Sequence, residues 1–213
     1  MEEKKWVVKN NRPEEKYLGK ANEYYNKNVS ENYSKSKPLQ KMQKQITLRA
    51  IELAGFEKGN KILDLGAGTG TSMKTLNEKG FKTKGIDVSN EMIKKAKEQG
   101  IEIKKADMRK IPFKDKEFDG VISISALQWL IADKEDEEIK KVAKETNRVL
   151  KKKGKAIFQF YSKSEEQAIK TAKLFSKQGF ETQLITDYPE NPKKRKTYIL
   201  LKKNKELNKT KTL

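Results

Sequence analysis

Residues 61–72 read KILDLGAGTGTS. Lys61 to Leu65 is a short apolar run that predicts a strand, and a helical stretch follows over residues 70–79. Between them lie Gly66, Gly68 and Gly70. A glycine-rich loop between a strand and a helix is where a doubly wound sheet holds a nucleotide-like ligand, at the carboxyl end of the first strand. The spacing is G-x-G-x-G, whereas a dinucleotide site has G-x-G-x-x-G. Asp64 stands just before the loop. A pyrophosphate wants backbone N–H groups, and that carboxylate would repel it. A ligand with ammonium and sulfonium charges at one end and an adenosine at the other would welcome it. S-adenosylmethionine is such a ligand.

Two further acids extend the pattern. Asp87 follows a second predicted strand, Phe81 to Ile86, where a carboxylate accepts both ribose hydroxyls. Asp107 follows a third strand, Ile101 to Lys105, with Met108 beside it; the acid suits the adenine amino group and the thioether the ring face. Each acid alone reads equally as a solvated loop carboxylate. Three at the ends of three successive strands favour a methyltransferase over a dinucleotide enzyme.

The rest of the chain alternates in the same way. Leu39, Met42, Ile46, Ala50, Leu53 and Ala54 recur at helical spacing after Pro38 and stop at Gly55. Ser89 opens a helix carrying Met92, Ile93 and Ala96. Phe118 to Ile124 reads as a fourth strand buried on both faces. Ile139, Val142, Ala143, Thr146, Val149 and Leu150 form the next helix stripe, and Lys155 to Phe160 a fifth strand. Glu165 to Gln178 is a helix. Phe180 to Thr186 and Lys196 to Leu201 follow with only a turn between them. Five β-then-α alternations and a closing antiparallel pair predict an α/β fold, a Rossmann-like, mostly parallel seven-stranded sheet with helices on both faces and an antiparallel last strand. Residues 1–35 read as an arm covering the cofactor site, 36–202 as the domain, and 203–213 as a flexible basic tail.

Composition narrows the chemistry. The 213 residues contain no Cys and no His. That excludes disulfides, thiol catalysis, Cys or His metal sites and His-dependent triads. No metal site is expected. The longest uncharged apolar stretch, Gly120 to Ala132, is too short to cross a bilayer, and the charged N-terminus is unlike a signal peptide. A cytoplasmic protein with no membrane association is expected. The net charge of +19 comes from 49 Lys+Arg against 30 Asp+Glu. It fits either a polyanionic partner or a coding bias toward Lys and Asn, since only five of the cations are Arg. Residues 193–213 carry nine cations and one acid.

The motifs LDLGAGTG, GIDVS, KADMRKIPF and FDGVISISALQWL resemble the class I S-adenosylmethionine-dependent methyltransferases. No (D/N)-P-P-Y follows the fourth strand, which disfavours amino-methylating enzymes. The segment ISISALQWL, residues 122–130, is closely similar to the guanine-N7 methyltransferases of small-subunit ribosomal RNA. The similarity continues through Tyr24 to Leu53, Ala156 to Gln167 and Asp187 to Leu201. Three features depart from that family. Ala67 stands where its motif carries Cys, Ser162 where it carries Pro, and the basic C-terminal extension of eukaryotic members is reduced to KKNKELNKTKTL.

The resemblance implies S-adenosylmethionine as cofactor, with Tyr33, Asp64, Gly66, Ala67, Gly68, Gly70, Asp87, Val88, Asp107, Met108 and Ser123 as its contacts. It also implies small-subunit rRNA as substrate in ribosome biogenesis. Guanine N7 has a free lone pair and no proton to lose, so no general base is required. Ser125, Gln128, Trp129 and Tyr161 are the candidates for positioning the base. Trp129 reads equally as a core aromatic, and Tyr25 and Tyr33 as cofactor covers or packing anchors. Gln128, Tyr161, Asp187, Tyr188 and Pro189 are candidate substrate contacts, with Asp187 aimed at the guanine Watson–Crick edge or serving an ordinary turn. A small zinc-binding activator protein is an implied partner, docking on the edge strand Ile101 to Lys105; Lys104 and Lys105 equally read as edge-protecting charges. Two other readings stay open: a quinone- or sterol-type small-molecule methyltransferase, and a non-catalytic ribosome-assembly factor that keeps the fold.

Overall fold

A computed structural model describes residues 12–17, 19–132 and 136–203. The described residues open with three short helices, α1 (Pro13–Lys16), α2 (Ala21–Tyr24) and α3 (Lys27–Lys35). The long α4 (Lys37–Ala54) follows. Pro38 sits in its first turn, where a missing N–H is harmless. Gly55 ends it in the left-handed conformation at φ 57°, donating its N–H to Ile51 and Glu52. Then come β1 (Lys61–Leu65), α5 (Thr71–Glu78), β2 (Lys82–Asp87), α6 (Asn90–Glu98), β3 (Lys104–Lys105) and β4 (Phe118–Ile124). The remainder is α7 (Gln128–Ala132), α8 (Asp136–Val149), β5 (Leu150–Phe160), α9 (Glu165–Ser176), β6 (Phe180–Asp187) and β7 (Lys196–Lys203).

The seven strands form one sheet in the order β3-β2-β1-β4-β5-β7-β6. β1 to β5 are parallel, and β7 runs antiparallel between β5 and β6. Because side chains alternate along a strand, each central strand feeds two cores. Val121, Phe158, Ile199 and Leu201 pack under α8 and α9, against Val142, Ala143, Ala168 and Phe175. Ile62, Ile122, Ile157 and Leu200 face the other way, under Ile46 and Ala50 of α4 and Leu76 of α5. Each fully buried side chain of this size contributes roughly 1.5–3 kcal/mol.

Three expectations are corrected. Leu150 begins β5 instead of ending the preceding helix, because it pairs with Phe118 across a bulge in the β4–β5 ladder. The β-then-α alternations number four and not five, because no helix connects β3 to β4 and residues 106–117 are loop and turn. The edge strand is two residues long, not five. Ile103 is buried against Ala67, Met73 and Ala96, and Ile101 packs beside it, so these isoleucines serve a small core and not an open edge. The basic tail expected over 203–213 lies, apart from Lys203, outside the described residues, as do residues 1–11 of the arm. Among the described residues no helix is long and apolar enough to cross a membrane.

Candidate functional site

The strand order reverses between β1 and β4, and a cavity of about 420 Å³ opens at their carboxyl ends. Its floor is the glycine loop. Gly66 and Gly68 have φ of 77° and 56°. A Cβ on Gly66 would fall 2.4 Å from the Ala126 Cβ, so the loop is pressed against the chain leaving β4. The Gly68 N–H donates to Asp87 Oδ2 at 2.8 Å, and the Ser89 N–H to Oδ1 at 2.8 Å. Burial raises the Asp87 pKa against these hydrogen bonds.

Asp64 lies beneath the loop with no exposure. The Ser72 hydroxyl donates to its Oδ2, while Oδ1 is buried without a hydrogen-bond partner among the described residues. Burial pushes this carboxyl up to about 7, against the Ser72 hydrogen bond. A buried carboxylate with one bare oxygen under a glycine loop is suited to a cation.

Asp107 and Met108 form one wall. Asp107 is not a bare acceptor, however. It takes hydrogen bonds from the Arg109 backbone at 2.8 Å and Nε at 2.9 Å, and Arg109 reaches on to Glu138. Burial would raise the Asp107 pKa, but Arg109 outweighs it and the net shift is downward. Sequence reasoning passed over Arg109, although an Asp followed two residues later by Arg was there to be noticed.

Aromatic rings roof one side of the cavity. Trp129, on α7, packs against Tyr24 and Tyr25 with ring centres 5.3 and 5.4 Å apart. Tyr25 meets Tyr33 edge-on at 6.0 Å. The Ser89 hydroxyl donates to the Tyr25 carbonyl at 3.1 Å, which ties the roof to the start of α6. Gln43 donates to the Tyr33 hydroxyl at 3.1 Å, and burial pushes that phenol up to about 12.

At the rim, Ser125 turns the chain out of β4 with φ of 54°, a strained value for a non-glycine residue. Its hydroxyl donates to Gln159 Oε1 at 2.7 Å, and Gln128 Nε2 donates to its carbonyl at 2.8 Å. Burial raises the Tyr161 pKa, against a hydrogen bond with Ser125.

Eleven of the expected residues line this one cavity: Tyr25, Tyr33, Gly66, Ala67, Gly68, Asp87, Val88, Asp107, Met108, Ser125 and Trp129. Gly70 instead caps α5 and touches Ile101. Ser123 is fully buried and donates to the Leu65 carbonyl at 2.8 Å, fastening β4 to β1. Gln128 and Tyr161 sit just behind the rim. Asp187, Tyr188 and Pro189 lie apart from the cavity. Arg49 of α4 holds Asp187 in a two-pronged pair, Nε–Oδ2 3.0 Å and Nη2–Oδ1 3.1 Å, so that carboxylate is committed. Arg195 donates to the Pro189 carbonyl at 3.0 Å. Beyond Arg109, the sequence reading missed Gln43 and Gln159, whose spacing looks like ordinary amphipathic filling.

This sheet order, glycine loop and acid at the end of β2 define a class I S-adenosylmethionine-dependent methyltransferase. A methyltransferase-domain family matches residues 63–158. A Schizosaccharomyces pombe protein named 18S rRNA (guanine-N(7))-methyltransferase bud23 is 33% identical over 187 residues, 84% of this chain and 70% of that one. A Bos taurus protein named 18S rRNA (guanine-N(7))-methyltransferase is 34% identical over 188 residues, 84% and 67% of the two chains. Among solved structures, PH0226 from Pyrococcus horikoshii superposes with a TM-score of 0.66 at 26% identity, covering 85% of this chain and 99% of that one. A Haloferax volcanii methyltransferase solved in complex with the Trm112 methyltransferase activator superposes at 0.64, with 16% identity and 84% and 98% coverage. The chain belongs to the 18S rRNA (guanine-N(7))-methyltransferase family.

Proposed function

We propose that this enzyme methylates N7 of a guanine in small-subunit rRNA during ribosome biogenesis, in the cytoplasm. The observation that carries the reading is a cavity built for an adenosine-bearing cation, in a chain about a third identical to relatives named for that reaction. The bare Asp64 oxygen, the Gly66 and Gly68 cradle and the pinned Asp87 carboxylate fit S-adenosylmethionine. That cofactor supplies an electrophilic methyl group. Asp64 balances its positive end through the loop, Asp87 accepts the ribose hydroxyls, and Asp107 with Met108 and Val88 flanks the adenine. Residues 19–35 roof the site, and residues 36–202 form the catalytic domain.

The target base enters at Ser125, with Trp129 and Tyr161 shaping the entrance and Gln128 holding the Ser125 turn. None of these residues acts as a general base, and N7 requires none. The protein aligns the lone pair and excludes water. A small zinc-binding activator of the Trm112 type is the proposed partner, pairing along the β3 edge at Lys104–Lys105. The test is methylation of purified small subunits with labelled cofactor, with and without such an activator. Label at guanine N7 is expected; small subunits that take up no label, or take it up at another atom, overturn the reading.

A further inference from the structure

A second groove, about 780 Å³, runs between α4 and the β6–β7 turn. Lys193, Lys194, Lys196 and Arg49 line it, with Asp187 as its acid, and Arg49 already neutralises Asp187. Tyr188 stands at its edge. Among the described residues it is the most exposed large hydrophobic side chain, at 64%. Its φ is 52°, a left-handed value that a bulky residue adopts only when its surroundings impose it. The surroundings do so here. The Asn191 N–H donates to the Tyr188 carbonyl at 3.0 Å, and the Lys194 and Arg195 N–H groups donate to the Asn191 carbonyl at 3.0 and 2.8 Å. The ring is therefore presented to solvent by a hydrogen-bonded turn, with lysines beside it. Lys196 Nζ, on the groove, lies 5.6 Å from the ring centre of Tyr161, which sits behind the cavity rim.

We propose that Tyr188 is a stacking platform for an unpaired base and that Lys193, Lys194 and Lys196 track the phosphates of a single-stranded RNA segment leading to the target guanine. An exposed ring beside spaced cations is the chemistry that grips single strands, since any base offers a face and any phosphate a charge. A protein partner with an acidic surface would use the lysines too, and the polyglutamate arm of the test separates it from RNA. The inference rests on the reading of the substrate as RNA, but its test does not depend on methyl transfer.

The test uses the full-length protein, an unstructured fluorescein-labelled RNA strand and a duplex of equal length, with binding followed by anisotropy. Tyr188→Ala is expected to weaken single-strand binding about ten-fold and leave duplex binding unchanged, while Tyr188→Phe keeps the wild-type affinity. Lys193→Ala with Lys194→Ala is expected to lower the slope of log affinity against log salt by about 1.4. Calorimetric cofactor binding by each variant confirms that it is folded. The proposal is overturned if Tyr188→Ala binds the single strand like wild type, if it weakens duplex equally, or if polyglutamate displaces the strand as well as unlabelled RNA does. A protein that shows the Tyr188 effect but leaves small subunits unmethylated would sink the functional reading and keep this surface.

Discussion

Gly68 and Asp87 are joined across the mouth of the sheet: the loop N–H donates to Asp87 Oδ2 at 2.8 Å. One carboxylate thus shapes the glycine loop and keeps lone pairs for a ligand. Asp87→Ala removes both roles. It is expected to weaken S-adenosylmethionine binding at least ten-fold, roughly the loss of one or two hydrogen bonds to a charged group. Titration calorimetry reads this directly, and an unchanged Kd would remove Asp87 from the site.

Gly66 and Gly59 separate backbone strain from crowding. Both have positive φ, but nothing lies within 4 Å of a Cβ built on Gly59, while one on Gly66 meets Ala126. Gly59→Ala is expected to destabilise by about 1 kcal/mol, the strain alone. Gly66→Ala adds overpacking and is expected to cost about 3 kcal/mol. Urea unfolding of the two variants measures the difference.

Asp64 gives a pH signature. Its folded pKa, about 7, lies above the unfolded carboxylate value of 3.8. The folded state therefore holds the proton more tightly. The stability this contributes is complete below the unfolded value and is lost as pH rises through about 7. Asp64→Asn cannot titrate, so the stability gap between wild type and variant should shift against wild type between pH 4 and 7. A cationic ligand favours the ionised form, so binding near pH 6 should release a proton. Calorimetry in buffers of different ionisation enthalpy detects that release, and its absence would detach Asp64 from the ligand.

Arg49 and Asp187 should behave as one unit. The pair is partly exposed, so losing either partner is expected to change stability by no more than about 1 kcal/mol. If Asp187 served the target base directly, Asp187→Asn would abolish methylation and Arg49→Gln would not. With the carboxylate committed to Arg49, both variants should show the same modest activity loss, and the double variant no more than either. Methylation rates over that cycle decide the point.

The first strand, the loop and the two acids were readable because strand ends and chemistry coincide within a few residues. Asp64 lies in β1 and Asp87 ends β2, and the fourth strand, read as buried on both faces, does feed two cores, through Val121 on one side and Ile122 on the other. What stayed hidden depends on contacts far along the chain. Asp187 meets its partner 138 positions away, which no local pattern carries. Ile101 and Ile103 alternate like an edge strand, yet Gly70 and Ala67 draw them inward. Leu150 fits a helix stripe by spacing, and only its pairing with Phe118 makes it strand. Trp129 was open between core and site, and it is both: 6% exposed, and part of the cavity lining.

The aromatic roof sets a clock. α2, beside Tyr25, is four residues long, and so brief a helix opens easily compared with the sheet below it. The rings of Tyr25, Tyr33 and Trp129 line the cavity beneath, so local opening of the first helices would strip one wall from a molecule held there. Anything that pins or frees those few residues would change how fast spent cofactor leaves, with the floor untouched.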